Sequence, residues 1–218
     1  MKKQTRLCTS LLALTFILSG CESMYYSAME KVGVHKRDIL IDRVEETKDS
    51  QQESQEEFQS ALERVTALID FKGGDLQDTY NALNDDYQSS LEAANEVSKN
   101  IDKVEEVAEA LFEEWSEELE QYKSASLKRQ SSEKLVNTKR QFSALLRSMR
   151  NAESKMEPVL SSLNDNVLYL KHNLNAQAVS EIKGEFTNLK RDIQQLMNDM
   201  NKSIAESNKF IAQMNSVN

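Results

Sequence analysis

Apolar residues recur every three or four positions along most of this chain, and no other feature restricts its fold as much. The cleanest series starts at Leu76 and passes through Tyr80, Leu83, Tyr87, Leu91, Ala94, Val97, Ile101, Val104, Ala108, Leu111, Trp115 and Leu119 to Tyr122. Its thirteen steps cover 46 residues, about 3.5 residues per step, the repeat of a left-handed coiled-coil seam. A second series reads Leu135, Thr138, Phe142, Leu145, Met149, Ala152, Met156, Val159, Leu163, Val167, Leu170, Leu174. A third reads Ile182, Phe186, Leu189, Ile193, Leu196, Met200, Ile204, Ser207, Ile211, Met214. An earlier stretch, from about Met24 to Phe71, keeps the spacing at Ile41, Val44, Phe58, Leu62, Val65 and Ile69. Lys48, Gln51 and Gln55 interrupt it, so a helix with a poorly sealed middle is expected there.

Turn residues are scarce: 218 residues contain five Gly and one Pro. Antiparallel β folds need turns every ten residues or so, and this chain cannot supply them. With 29 % charged and 6 % aromatic residues, narrow shared seams suit it better than a wide core. The reading is all-α: an elongated antiparallel bundle of about four long coiled-coil-like helices.

Three breaks divide the series. Lys72-Gly73-Gly74-Asp75 is the strongest, since the glycines permit positive φ and Asp75 can cap the next helix. Lys123-Ser124-Ala125-Ser126 and Asn173-Leu174-Asn175-Ala176 are weaker. Folding about residue 125 pairs Ile101 with Met149 and Ala108 with Phe142. Folding about residue 72 pairs Phe58 with Tyr87 and Val44 with Ile101, and the last hairpin brings Met149 near Met200. Nine acids between Asp102 and Glu120 would face nine bases between Lys123 and Lys155, which favours this register. One unbroken helix through Ser124–Ser126 is the alternative. Pro158 lies inside the third segment and lacks an N–H, so a kink or local break is expected near Met156-Glu157.

The beginning of the chain reads as an address. Lys2, Lys3 and Arg6 precede a short apolar run, Leu7 to Leu18, which ends in Leu18-Ser19-Gly20-Cys21. This run is too short to span a bilayer, and its ending looks like a bacterial lipobox. Residues 1–20 are then a lipoprotein signal peptide, and Cys21 is the lipidation site, bearing fatty acyl chains of the palmitate type. Residues 21–40 form the lipid anchor and membrane-proximal segment, and 41–218 the helical bundle domain. Glu22 is not the Asp that retains such proteins in the inner membrane, so the periplasmic face of the outer membrane is the expected location. Cys8 and Cys21 are the chain's two cysteines, which leaves the mature protein no thiol for a disulfide, metal or nucleophile.

Losing Lys2, Lys3 and Arg6 takes the net charge from −9 to −12, which argues against nucleic acid as a partner. Just after the anchor, Tyr25 and Tyr26 suit a bilayer interface. Lys31, Lys36 and Arg37 suit headgroup phosphates. His35 has Asp38 at i+3 and His172 has no ligand partner at helical spacing, so no metal site is expected. No phosphate loop, nucleophile elbow or paired catalytic acid stands out. No catalysis and no cofactor are expected. The expected partners are the membrane, through the N-terminal lipid, and a protein of the cell envelope or a second copy of this chain. The other role considered is an accessory factor for lipid or envelope-component transport that binds along the bundle seam.

The run Tyr25-Tyr26-Ser27-Ala28-Met29-Glu30-Lys31-Val32-Gly33, with His35-Lys36-Arg37-Asp38-Ile39-Leu40 and Asp42-Arg43-Val44-Glu45, resembles a family of Gram-negative lipoproteins known only as a domain of unknown function. Phe58-Gln59-Ser60-Ala61-Leu62-Glu63-Arg64, Pro158-Val159-Leu160 and Asn166 to Ala176 are similar to later segments of that family. The resemblance covers the mature chain and implies an all-helical envelope protein. It implies no catalytic residue.

Overall fold

A computed structural model describes residues 35–70 and 75–216. Four long helices and one short one account for nearly all of them. Helix α1 spans Lys36–Ile69, α2 Leu76–Glu118, α3 Ala125–His172, α4 Ala176–Glu181 and α5 Lys183–Ser216. A single 3₁₀ turn, Leu119–Gln121, follows α2. The described residues contain no strand. The expected antiparallel helical bundle is what the chain forms.

The long helices close a ring: α1 packs on α2 and α5, and α3 packs on α2 and α5. Helices α1 and α3 are therefore diagonal and point the same way. At 1.5 Å per residue, the 48 residues of α3 make a rod about 72 Å long.

Local chemistry sets the helix starts. The Asp75 carboxylate accepts from the backbone N–H groups of Gln77 at 2.9 Å and Asp78 at 3.3 Å. Ser124 Oγ accepts from Leu127 N–H at 3.4 Å, and Asn175 Oδ1 from Ala178 N–H at 3.0 Å. Each side chain satisfies a donor that the first helical turn leaves open. The break at Ser124 makes α2 and α3 a hairpin, not one continuous helix.

The seam of α3 follows the expected series closely. Every position from Leu135 to Leu170 is buried, and only the last, Leu174, is exposed. Across it, Arg150 reaches Asp102 at 2.7 Å and Ser98 donates to Glu153 at 2.6 Å, matching the fold about residue 125. In the other two hairpins, the pairs Lys36–Glu114, Lys103–Glu46 and Phe142–Phe210 lie three to five residues from the expected register, about one to one and a half helical turns.

Four expectations need correction. The first is the bundle's lower boundary: α1 begins at Lys36, and Ile39 and Leu40 are already core, so residue 41 is too late a start. Second, of the kink or local break expected near Met156-Glu157, the break does not occur: α3 is continuous through Pro158. Pro158 is exposed while Met156, Val159 and Leu160 around it are buried, so packing on both sides holds the helix together. The third concerns the turn after α3, which contains a helix of its own, α4, seating Ala178 and Val179 in the interior. Finally, α5 buries Ser203, Ser207 and Phe210 beyond Met200, while Ile204 and Ile211 are only half-buried. Both sets keep the 3–4 spacing. Phe210 wins because its ring meets Phe142 edge-on at 6.0 Å.

Candidate functional site

Two places in the bundle hold chemistry beyond ordinary packing. One is the end where α1 begins, α5 finishes and α2 turns into α3. The other is a polar belt inside the middle of the rod.

At the end, Lys36 pairs with Glu114 at 3.0 Å, and the Arg37 guanidinium donates to the Met214 carbonyl. These contacts clamp the first helix to the second and the last. They also show where two cations assigned by sequence to lipid headgroups are placed: both turn toward the bundle. A half-open cavity of about 400 Å³ lies beside them, lined by Arg37, Leu111, Trp115, Tyr122, Leu127 and Met214 among others. Trp115 Nε1–H donates to Ser131 Oγ at 2.8 Å, which fixes the indole as one wall. Cys21, Tyr25, Tyr26 and Lys31 lie outside the described residues.

The polar belt comes mainly from α1 and α5. Thr47, Ser50, Gln51 and Ser54 are buried on α1, and Asp199, Ser203 and Ser207 on α5; α2 adds Ser90. Some of these hydroxyls bond back to their own helix, as Thr47 does to the Arg43 carbonyl at 2.8 Å and Ser207 to that of Ser203 at 3.0 Å. Gln51 is fully buried, and neither end of its amide has a hydrogen-bond partner among the described residues. The hydroxyls of Ser54, Ser90 and Ser203 share that condition. The interrupted middle of α1 is thus closed to solvent, with its polar groups drawn inside. Lys48 stays at the rim beside Glu45 and Asp49, and Gln55 Nε2 donates to the Met197 carbonyl at 3.1 Å.

The shifted titrations here belong to ion pairs between helices. Asp199 is 3 % exposed. Hydrogen bonds from Lys155 on α3 and Lys202 on its own helix hold its carboxyl far below the usual range, against the opposing effect of burial. Arg150 loses some basicity to burial but gains more from Glu105 at 2.6 Å, Asp102 and Glu153, so its guanidinium is held charged more firmly than usual. Arg43 lowers Glu46 in the same way. Of the other bases of α3, Lys128 meets Glu120 at 2.9 Å and Lys139 lies 5.6 Å from the Phe112 ring centre.

Among the described residues no group of three or more His, Cys, Asp or Glu is arranged to hold a metal ion. None of their helices is long and apolar enough to cross a membrane. His35 stands just before α1 with no side-chain capping bond, and His172 is exposed in the last turn of α3.

The family model described as "Protein of unknown function (DUF2959)" matches residues 25–214. The chain belongs to that family. The match takes in Tyr25, Lys31, both clamping cations at the bundle's end and every residue of the polar belt. Neither the comparison with curated proteins nor that with solved structures returned a match. On the belt's α5 side the sequence series included Ser207 but missed Asp199 and Ser203, which carry no apolar signal and betray themselves only by their spacing from Leu196.

Proposed function

We propose that this protein is a lipid-anchored helical rod on the periplasmic face of the outer membrane, acting as a structural or protein-interaction element without catalysis. The observation that carries the reading is the lipobox-like Leu18-Ser19-Gly20-Cys21 preceding a bundle about 72 Å long. A chain held by acyl chains at one end and stiffened by seams along its length presents surface at a distance from the bilayer. Two or three acyl chains suffice for stable anchoring. The strongest charge interactions, at Asp199 and Arg150, tie helix to helix and do not point into the cavity, which supports a mechanical role for them.

The test is made on the protein purified from its own membranes. Intact mass should show residues 1–20 removed and Cys21 acylated. Cys21→Ala should move the chain out of the membrane fraction. A wild-type chain that keeps residues 1–20, or carries no acyl mass, overturns the anchor. Photo-crosslinkers placed along the rod in cells test the interaction role, and only monomer at every position would remove it.

The transport-accessory reading draws on the cavity of about 400 Å³ and on the polar belt. It requires lipid or another envelope component to travel with the purified rod, which native mass spectrometry detects; a clean apo mass sinks it.

A further inference from the structure

The end of the rod at which α1 begins exposes apolar surface at the rim of the cavity. Tyr122 is 42 % exposed and Leu127 53 %, and they flank the α2–α3 turn. Lys123 and Arg129 stand exposed beside them. Meanwhile Lys36 and Arg37, the described cations nearest the start of the chain, are directed to Glu114 and the Met214 carbonyl.

We propose that the α2–α3 turn is a second membrane contact. Tyr122 and Leu127 enter the interfacial layer of the bilayer that holds Cys21, with Lys123 and Arg129 at the lipid phosphates. This rests on the anchor proposed above.

Position is the first support. His35 lies at this end, and Cys21 is fourteen residues earlier. Fourteen residues reach at most about 50 Å fully extended, less than the rod's length of about 72 Å. With the rod upright, a tether of that length requires the turn end to face the bilayer and the α4 end to point away from it. Chemistry is the second. A phenol ring suits the boundary between hydrocarbon and headgroups, and a leucine gains by leaving water. Charge is not what holds the turn down. Glu117, Glu118 and Glu120 are exposed on the α2 side of the same end, and they offset Lys123, Lys128 and Arg129. The contact is therefore mainly apolar, and anionic lipid strengthens it little.

The consequence is orientation. An acyl tether alone lets the rod swing, whereas a tether and a seated turn hold it upright.

The mature chain's one cysteine is the lipidated one, so an introduced thiol can be labelled cleanly. The test uses full-length lipidated protein in phosphatidylethanolamine vesicles containing some phosphatidylglycerol. An environment-sensitive probe sits either at Ala125→Cys in the turn or at Ser180→Cys on α4, and a headgroup-level spin-labelled lipid quenches it. The turn probe should be quenched several-fold more than the α4 probe. Replacing Tyr122 and Leu127 together by Ser should cut turn occupancy about tenfold and remove most of that difference. The variant should stay folded, with thermal unfolding lowered only modestly, since about half of each side chain is exposed. Equal quenching at the two positions, or none at either while the protein stays on the vesicles, overturns the contact. Protein that fails to stay on the vesicles overturns the anchor instead, and the contact with it.

Discussion

Along α2 and α3 the buried residues are mostly apolar, from Leu135 through Met149 to Leu170 and from Leu83 to Leu119, with Ser90, Asn100, Thr138 and Asn166 as the polar exceptions. On α1 and α5 the same depth of burial takes in Thr47, Ser50, Gln51, Ser54, Asp199, Ser203 and Ser207. Both pairs exclude solvent, but they do so with different chemistry. The α2–α3 hairpin gains from every turn it closes. The α1–α5 pair closes over groups whose hydrogen-bonding capacity is partly unmet, and each such group costs about 1–3 kcal/mol. Continuous helix and full burial therefore do not imply uniform stability along a bundle.

The largest test of that contrast removes a ring from the apolar side. Phe142 packs edge-on with Phe112 on α2 at 5.6 Å and with Phe210 on α5 at 6.0 Å. Phe142→Ala should cost about 3–5 kcal/mol, read as a fall in the urea midpoint. A loss below about 1 kcal/mol would mean that the apolar seam is not the stronger half. The next test has the opposite sign. Gln51→Leu keeps much of the volume and removes two unpartnered polar atoms, so stability should rise by about 1–3 kcal/mol. A lower midpoint would show that the belt helps fix the helix register.

The smallest effect belongs to Asp199. Its native carboxyl is held below the ordinary value of 3.8, so its ionised form favours the folded state at neutral pH. That contribution disappears as pH falls below about 4, where the unfolded chain takes up the proton more readily. Lys155 and Lys202 are 38 % and 68 % exposed, which limits the effect to about 1 kcal/mol. Asp199→Asn should lose about that much at pH 7, and its stability should change less than wild type between pH 5 and 3. Parallel curves would remove the ion pairs from the account.

The same contrast decides what was legible in the sequence. On α3 the period of apolar residues and the direction of burial coincide, so the series from Leu135 to Leu170 could be read directly. The cap at Asp75 was legible for an equally local reason, since a short oxygen-bearing side chain meets the first open N–H groups, whereas Ser124 and Asn175 were read only as breaks. On α1 and α5 the period and the chemistry diverge. Gln51 looks like an interruption and is core; Ile204 and Ile211 look like core and are half-buried. No single-chain pattern reveals which flank of α5 faces Phe142, because the partner lies about 70 residues away. The bundle partners of Lys36 and Arg37 were illegible for a related reason, since Glu114 and the Met214 carbonyl come beside them only in the folded chain.

The clamp at Lys36–Glu114 and Arg37–Met214 also fixes how the molecule bears load. A pull applied at α4 against the start of α1 does not peel helices apart one contact at a time. It slides α1 lengthwise past α2 and α5, and many contacts along those seams must yield together. The bundle is loaded in shear, the stiff direction of an interdigitated seam, and the polar middle of α1 is where that sliding would begin.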